Sequence, residues 1–187
     1  ISNFYQYGIS ANNLDHLVID KNYIISAAVP SSSNTNAILL FDCDIVKITN
    51  NVGIVEGNVS SAYARVMYMS GCNGDSIQHN LMANNMFSYT NAASTSLNSS
   101  VIDISVSDYT DVVYNSAFLA NSGTNGKVFN YYGTPSDTNG TVQNNSFANY
   151  GTGYGIYYSG TAPTRSYNNA FSLNGTAVFG TQGANGL

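Results

Sequence analysis

Short apolar runs alternate with polar turns along the whole chain, and no run shows the period of an amphipathic helix. The apolar runs are rich in β-branched and aromatic residues and end near Gly or Asp, which is typical of short strands. Examples are AILLFD, ARVMYMSG, VIDISVSD, KVFNYYG, YGIYYSG and TAVFG. The segments between them, such as PSSSNTN, NAASTSLNSS and NSGTNG, consist of turn-forming residues. The pattern predicts an all-β chain.

A second pattern recurs in phase with these runs: an apolar residue, any residue, two amides, any residue and often Phe. A copy in the last third reads SYNNAF, and earlier copies read VQNNSF and VYNSAF. IQHNLM fits the third copy nearly as well as MANNMF does. The fourth position of the pattern is occupied by Asn22, Asn51, Asn85, Ser116, Asn145 and Asn169, with steps of 29, 34, 31, 29 and 24 residues.

A repeat of this length, with two or three short strands, cannot bury its own apolar face, but stacked repeats bury a common core. Equivalent strands then lie about 4.8 Å apart in parallel sheets. We therefore predict a parallel β-helix, or β-solenoid, of about six coils with two to three short strands per coil. The expected organisation is a single domain over 1–187, with an N-terminal edge segment (1–16), stacked coils (17–180) and a glycine-rich tail (181–187).

The apolar residues at the two ends of the pattern can share the interior only if the strand bends between them. Asn suits such a bend, because it tolerates a left-handed backbone and can bond neighbouring backbone groups. Stacked Asn side chains can also bond one another from coil to coil. We predict an asparagine ladder of Asn22, Asn51, Asn85, Asn145 and Asn169, and an aromatic stack of Phe87, Phe118, Phe147 and Phe171.

This repeat resembles the right-handed parallel β-helix of the pectin-lyase-like proteins, and the resemblance covers about 17–180. It rests on the repeat and carries no catalytic motif, so it implies a fold more than an activity. Enzymes of that architecture usually act on acidic polysaccharides, which the resemblance makes a candidate class of ligand. The stacked short strands also resemble the amyloid-like β-arch proteins of methanogenic archaeal cell sheaths.

The two cysteines follow equivalent strands. Cys43 and Cys72 are 29 residues apart, the same step as from Asn22 to Asn51. Stacking would bring their Cα atoms to about 5 Å, within the disulfide window of roughly 4.4–6.8 Å. We predict a disulfide between the first two of these coils, worth about 3 kcal/mol, and with it an oxidising, extracellular setting. Two reduced, stacked cysteines are the alternative.

Charge is scarce: 8% of residues are charged, and the five Lys and Arg leave a net charge of −5. A surface so poor in cations is unsuited to neutralising phosphates, so we expect no nucleic-acid partner. No apolar run is long enough to span a membrane. The chain begins at Ile1 as though a leader had been removed, and we expect secretion to the cell surface or beyond.

Eight aspartates, together with His16, fall into three groups, and none of the groups carries a catalytic motif that we recognise. The middle group could hold a weak calcium ion, which takes about 6–8 oxygen ligands, but turn residues at strand ends are the favoured interpretation. Neither His16 nor His79 has a partner at zinc-ligand spacing. We expect no catalytic residue, metal or cofactor. The groups are Asp15, His16 and Asp20; Asp42, Asp44 and Asp75; and Asp103, Asp108 and Asp111.

Tyrosine is in excess, with fifteen residues. Tyr131, Tyr132, Tyr157 and Tyr158 fall on neighbouring coils, and strand alternation turns one of each pair outward. An outward tyrosine ladder could contact a glycan or a neighbouring subunit, since tyrosine is favoured at interfaces. Scattered surface tyrosines without a partner are the alternative.

The low charge, the amide ladder and terminal segments without a charged cap favour association by continuation of the sheets. Head-to-tail contacts of this kind would build filaments or rings. We expect an extracellular structural protein whose partner is itself, forming a sheath, fibre or surface layer. The alternative is a β-helix protein that binds or cleaves polysaccharide, including the viral tail-fibre type, with a cell-surface glycan as partner.

Overall fold

Parallel strands wind into a solenoid in the computed structural model of the chain. The structure describes residues 1–4, 6–26, 34–56, 64–91, 99–121, 125–134 and 139–179. No helix that could cross a membrane occurs among them. The first three coils contain β1 (Tyr7–Asn12), β2 (Val18–Asp20), β3 (Tyr23–Ser26), β4 (Thr35–Phe41), β5 (Lys47–Thr49), β6 (Val52–Glu56), β7 (Ala64–Ser70), β8 (Asn80–Ala83) and β9 (Met86–Asn91). The later coils contain β10 (Ser100–Ser105), β11 (Thr110–Val113), β12 (Ser116–Asn121), β13 (Lys127–Gly133), β14 (Thr141–Asn149), β15 (Tyr154–Gly160), β16 (Arg165–Ser172) and β17 (Thr176–Phe179).

Two sheets are built from equivalent strands of successive coils. Sheet one has seven strands in the order β1-β4-β7-β10-β13-β15-β17. Sheet two has ten strands in the order β2-β5-β8-β11-β14-β12-β9-β6-β3, and β16 pairs with β14. The long strand β14 spans both halves of sheet two, which in the first four coils are separate strands. The prediction of a parallel β-solenoid of about six coils is confirmed.

The core lies between the two sheets and consists of rows of equivalent apolar side chains. Alternation along each strand turns these side chains inward, and every coil adds one member to each row. Burying such rows is the main source of stability for a chain with so few charges. One row in each sheet is formed by Ile38, Met67, Ile102, Phe129 and Ile156, and by Ile19, Ile48, Met82, Val112 and Val142.

A left-handed residue bends sheet two at the same place in five coils. The residue that follows the left-handed residue in the chain points into the core. Because of this bend, Val142 and Phe147 are both buried although they stand at positions of opposite parity in β14. The left-handed residues are Lys21 (φ 56°), Asn50 (58°), Asn84 (56°), Tyr114 (58°) and Asn144 (56°).

Tyr114 is the least suited of these five residues to its backbone conformation. Its side chain is 61% exposed, so little packing offsets the left-handed strain. We expect Tyr114→Asn to raise the free energy of unfolding by about 0.5–1 kcal/mol, because Asn adopts this conformation more readily. Chemical denaturation measures the change. The reverse substitution, Asn84→Tyr, should lower stability by a similar amount, and equal stabilities of all three proteins would contradict the account.

Candidate functional site

A ladder of asparagines runs through the bend of sheet two. In each rung, Oδ1 of one asparagine accepts hydrogen bonds from the backbone N–H and the side-chain amide of the asparagine one coil earlier. Asn51 donates in this way to Asn85 Oδ1 over 2.9 and 3.0 Å. The amide of Asn85 donates in turn to the carbonyl of Ile48 at 2.9 Å. The rungs are Asn22, Asn51, Asn85, Asn115, Asn145 and Asn168.

The prediction of Asn169 as a rung is wrong. Asn169 is exposed and lies in register with Ser146, whereas Asn168 occupies the ladder. The last copy lacks the left-handed residue that Asn144 supplies in β14, which appears as a register irregularity between the two strands. Its amide therefore comes one position earlier, and the step from Asn145 is only 23 residues.

The fourth copy of the pattern was also misaligned by one residue. Asn115, and not Ser116, is its rung. The reason is that Val112 is the register partner of Val142, whereas the sequence alignment placed Val113 there. Tyr114 takes the left-handed position that Asn50, Asn84 and Asn144 occupy in other coils, so the pair of amides that marks the register is absent from this copy.

The predicted aromatic stack does not form. Phe87 and Phe147 are both buried, but they are two coils apart and Ala117 separates them in the row. Phe118 and Phe171 belong to the neighbouring, outward-facing row, where Phe118 is half-buried and Phe171 exposed. The misalignment of the fourth and sixth copies produced this error, since each shifts its Phe by one position.

Cys43 and Cys72 stack on adjacent coils, but both are free thiols, so the predicted disulfide is wrong. The sulfur of Cys72 faces the backbone N–H of Cys43, which donates to it over 3.4 Å. The N–H of Cys72 donates to Ser107 Oγ at 3.1 Å. Each thiol donates to a carbonyl two residues before it, Phe41 and Ser70 respectively. The cysteines are thus rungs of a second, shorter ladder.

The acidic residues at the corner between the two sheets are engaged in turns. Asp44 Oδ1 accepts from the N–H of Asn73 at 3.2 Å, and Asn73 Oδ1 accepts from the N–H of Asp108 at 3.0 Å. Asp108 accepts in turn from the N–H of Asn139 at 3.0 Å. Across the described residues, no group of three or more His, Cys, Asp or Glu could hold a metal ion. The hydrogen bonds of Asp44 and Asp108 thus join turns of neighbouring coils.

Both histidines contact carboxylates. His79 Nδ1 lies 2.9 Å from Asp111 Oδ2, and the other oxygen of Asp111 accepts from the hydroxyl of Thr141 at 2.7 Å. His16 Nδ1 lies 2.9 Å from Asp15, and both side chains are largely exposed. The first pair links neighbouring coils, and the second joins neighbouring residues of the chain.

The outer face of sheet one carries a polar and aromatic cluster that the sequence reasoning missed. At its centre Asp103 is only 5% exposed, although its side chain faces away from the core. Its carboxylate accepts from Arg65 Nε and Asn130 Nδ2, each at 2.7 Å. Arg65 also lies over the ring of Tyr68, 4.2 Å from its centroid. The outer cluster consists of Arg65, Tyr68, Ser100, Asp103, Lys127, Asn130, Tyr154 and Tyr157.

The four predicted tyrosine contacts divide between the core and the surface. Tyr131 and Tyr158 are buried, and Tyr132 and Tyr157 face outward. The outward pair does not form a ladder, because Tyr132 is in register with Ser159 and Tyr157 with Asn130. Only Tyr157 belongs to the outer cluster.

A groove of about 200 Å³ lies at one end of the outer cluster, between Asn125, Lys127, Tyr154 and Tyr157. The rings of Tyr154 and Tyr157 meet edge to face, with centroids 4.9 Å apart. The ammonium of Lys127 lies 5.0 Å from the centroid of Tyr157. Burial lowers the pKa of Lys127, and the nearby carboxylate of Asp103 partly opposes that effect.

Comparisons with protein-family models, curated proteins and solved structures found no match to this chain. The fold and the side-chain geometry therefore carry the functional argument.

Interior rungs of the asparagine ladder should matter more than its first rung. Asn85→Ala removes both an acceptor and a donor and leaves buried amides of its neighbours unpaired, so we expect a loss of about 3–5 kcal/mol. Asn22 accepts no hydrogen bond through its side-chain oxygen among the described residues, so Asn22→Ala should cost about 1 kcal/mol. Denaturant unfolding measures both, and equal losses would contradict a continuous ladder.

The thiols should be inert until the chain unfolds. Burial raises the pKa of the Cys72 thiol to about 12, so almost none of it is thiolate at pH 8. We expect no reaction of the native protein with an aromatic disulfide reagent at pH 8, and two thiols per chain after denaturation without reductant. Fast labelling of Cys72 in the native protein would contradict its burial.

Proposed function

We propose that the chain is an extracellular structural protein that assembles with copies of itself by continuing its parallel sheets end to end. The observation that carries this proposal is the hydrogen bonding of polar side chains between successive coils. Amides, thiols and carboxylates are hydrogen-bonded to equivalent residues of a neighbouring coil, in ladders along the stack. Such ladders support a repetitive scaffold.

The two ends of the described chain each present part of a coil. Residues 1–3 lie along the outer edge of β3, where the last strand of a preceding coil would lie: the N–H of Ile25 donates to Ile1 O at 2.9 Å, and that of Asn3 to Ile25 O at 3.0 Å. At the other end, β17 supplies the sheet-one strand of a seventh coil. In an end-to-end contact, β17 of one copy would pair with β1 of the next, and both copies would share a coil. This complementarity supports assembly into a sheath, fibre or surface layer.

Polysaccharide binding is a second candidate function, and the groove beside Tyr154 and Tyr157 favours it. Aromatic faces next to an amide and an ammonium form the kind of site on which a sugar ring can stack and bond. The resemblance to the sheath proteins of methanogenic archaea bears on the first proposal, that of assembly, and remains a prediction.

A proline at the edge of β1 tests the assembly. The carbonyl of Gln6 accepts from the N–H of Asn36 at 2.8 Å, so the N–H of Tyr7, across a planar trans peptide, points away from β4. Tyr7→Pro removes this edge donor without breaking a bond within the solenoid. We expect the wild type to form filaments as its concentration rises, and Tyr7→Pro to raise the concentration needed by roughly tenfold, as seen by light scattering.

Tyr7→Val is the matched control, since it keeps the N–H and also loses the partly exposed ring. It should assemble like the wild type. A wild-type chain that stays monomeric at high concentration and binds a polysaccharide saturably would contradict the assembly proposal and favour the second candidate.

A further inference from the structure

The ammonium of Lys127 is a half-buried cation that forms no ion pair or hydrogen bond with any residue that the structure describes. It lies 5.0 Å from the ring centroid of Tyr157. Burying a charge without a hydrogen-bonding partner is unfavourable. The nearest carboxylate, Asp103, is already bonded to Arg65, Ser100 and Asn130. The groove therefore offers three N–H donors and two aromatic rings to an incoming group that is anionic on one side and apolar on the other.

The same chain presents such a group on its surface, in the turn after β7. The turn is held by Asp75, whose Oδ1 accepts from the N–H groups of Ile77 and Gln78, each at 2.7 Å. The N–H of Asp75 donates to Gln78 O at 2.9 Å, which closes the turn. Ile77 is 87% exposed, the highest value among the exposed large apolar side chains.

Asp75 Oδ2, which accepts no hydrogen bond from the described residues, and the exposed side chain of Ile77 thus belong to one hydrogen-bonded turn, which we call the acidic knob (75–78). The backbone hydrogen bonds from Gln78 and Ile77 lower the pKa of Asp75, so the knob keeps its negative charge in weakly acidic solution.

We propose that the acidic knob of one copy inserts into the Lys127 groove of a second copy. Asp75 Oδ2 accepts from the ammonium of Lys127, and Ile77 packs on Tyr154 and Tyr157. The contact pairs the Lys127 ammonium with a carboxylate and covers the side chain of Ile77.

This inference rests on the proposed assembly and adds a direction to it. The knob lies at the corner that follows β7, and the groove lies on the face of sheet one at β13 and β15. The two surfaces are different, so the contact is heterologous and leaves a free knob and a free groove on every copy. Filaments formed end to end would thereby associate side by side into a layer or bundle.

Two oppositely designed variants test the contact. Lys127→Glu places a carboxylate in the groove, where it repels the knob. Asp75→Asn combined with Ser76→Lys keeps the side-chain oxygen that holds the turn and makes the knob positive. We expect each variant alone to form single filaments, with bundling shifted to at least about tenfold higher concentration. A mixture of the two should bundle like the wild type, because each knob then meets a groove of opposite charge.

Lys47→Glu is the matched control, since it makes the same change of charge at an exposed lysine on β5, away from the groove. It should bundle like the wild type. Electron microscopy distinguishes bundles from single filaments, and added salt should separate bundles before it shortens filaments.

The outcomes separate this inference from the proposed function. Filaments that bundle regardless of Lys127→Glu would overturn the knob and groove and leave end-to-end assembly standing. If no filament forms, the proposed assembly fails, but the contact can still be tested by immobilising one variant and adding the other in solution. Binding between the two variants supports the contact, and no binding overturns it. A wild-type groove that instead takes up a uronic-acid oligosaccharide, with binding lost in Lys127→Glu and bundling unchanged, would assign the groove to saccharide and overturn the inference.

Discussion

Hydrogen bonding between equivalent asparagines of successive coils is the interaction on which the rest of the structure depends. Each rung satisfies a buried amide that would otherwise be costly to remove from water, and it can do so only if the coils stay in register. Asn51, Asn85 and Asn115 each accept two hydrogen bonds and donate to the next rung and to a backbone carbonyl. The ladder thereby aligns the rows of apolar side chains that make up the core.

The sequence was sufficient to predict the fold because stacking makes every coil repeat the same pattern. Asn51 and Asn85 could be placed because an amide precedes each of them at the left-handed position. Asn115 could not be placed, because Tyr114 and not an amide precedes it at the left-handed position. Asn168 could not be placed either, because its coil lacks the left-handed residue. Matching the sequence pattern aligns residue types, whereas backbone pairing between strands sets the register. An error of one residue in the register moves a Phe from the core to the surface.

The sequence also located the cysteines on adjacent coils but not the direction of their sulfurs. Spacing fixes the separation of two Cα atoms, and the hydrogen bond from the N–H of Cys43 decides where the sulfur of Cys72 points. The outer cluster could not be predicted from the sequence pattern for a related reason. Asp103 and Asn130 are register partners, and Arg65 reaches Asp103 from the position of β7 that pairs with Ser100. These contacts are visible only after the strands of sheet one are aligned, because Asp103 is 38 residues from Arg65 and 27 from Asn130 in the chain. Aligning the apolar runs, as well as the amide pattern, would have revealed it.

We propose above all that the parallel sheets continue from one copy to the next. Helical reconstruction of the assembled protein by electron microscopy tests this most directly. The account predicts filaments in which parallel strands follow one another at about 4.8 Å across the boundary between copies, with β17 of one copy beside β1 of the next. A protein that remains monomeric at high concentration, or filaments in which the sheets are interrupted between copies, would contradict it.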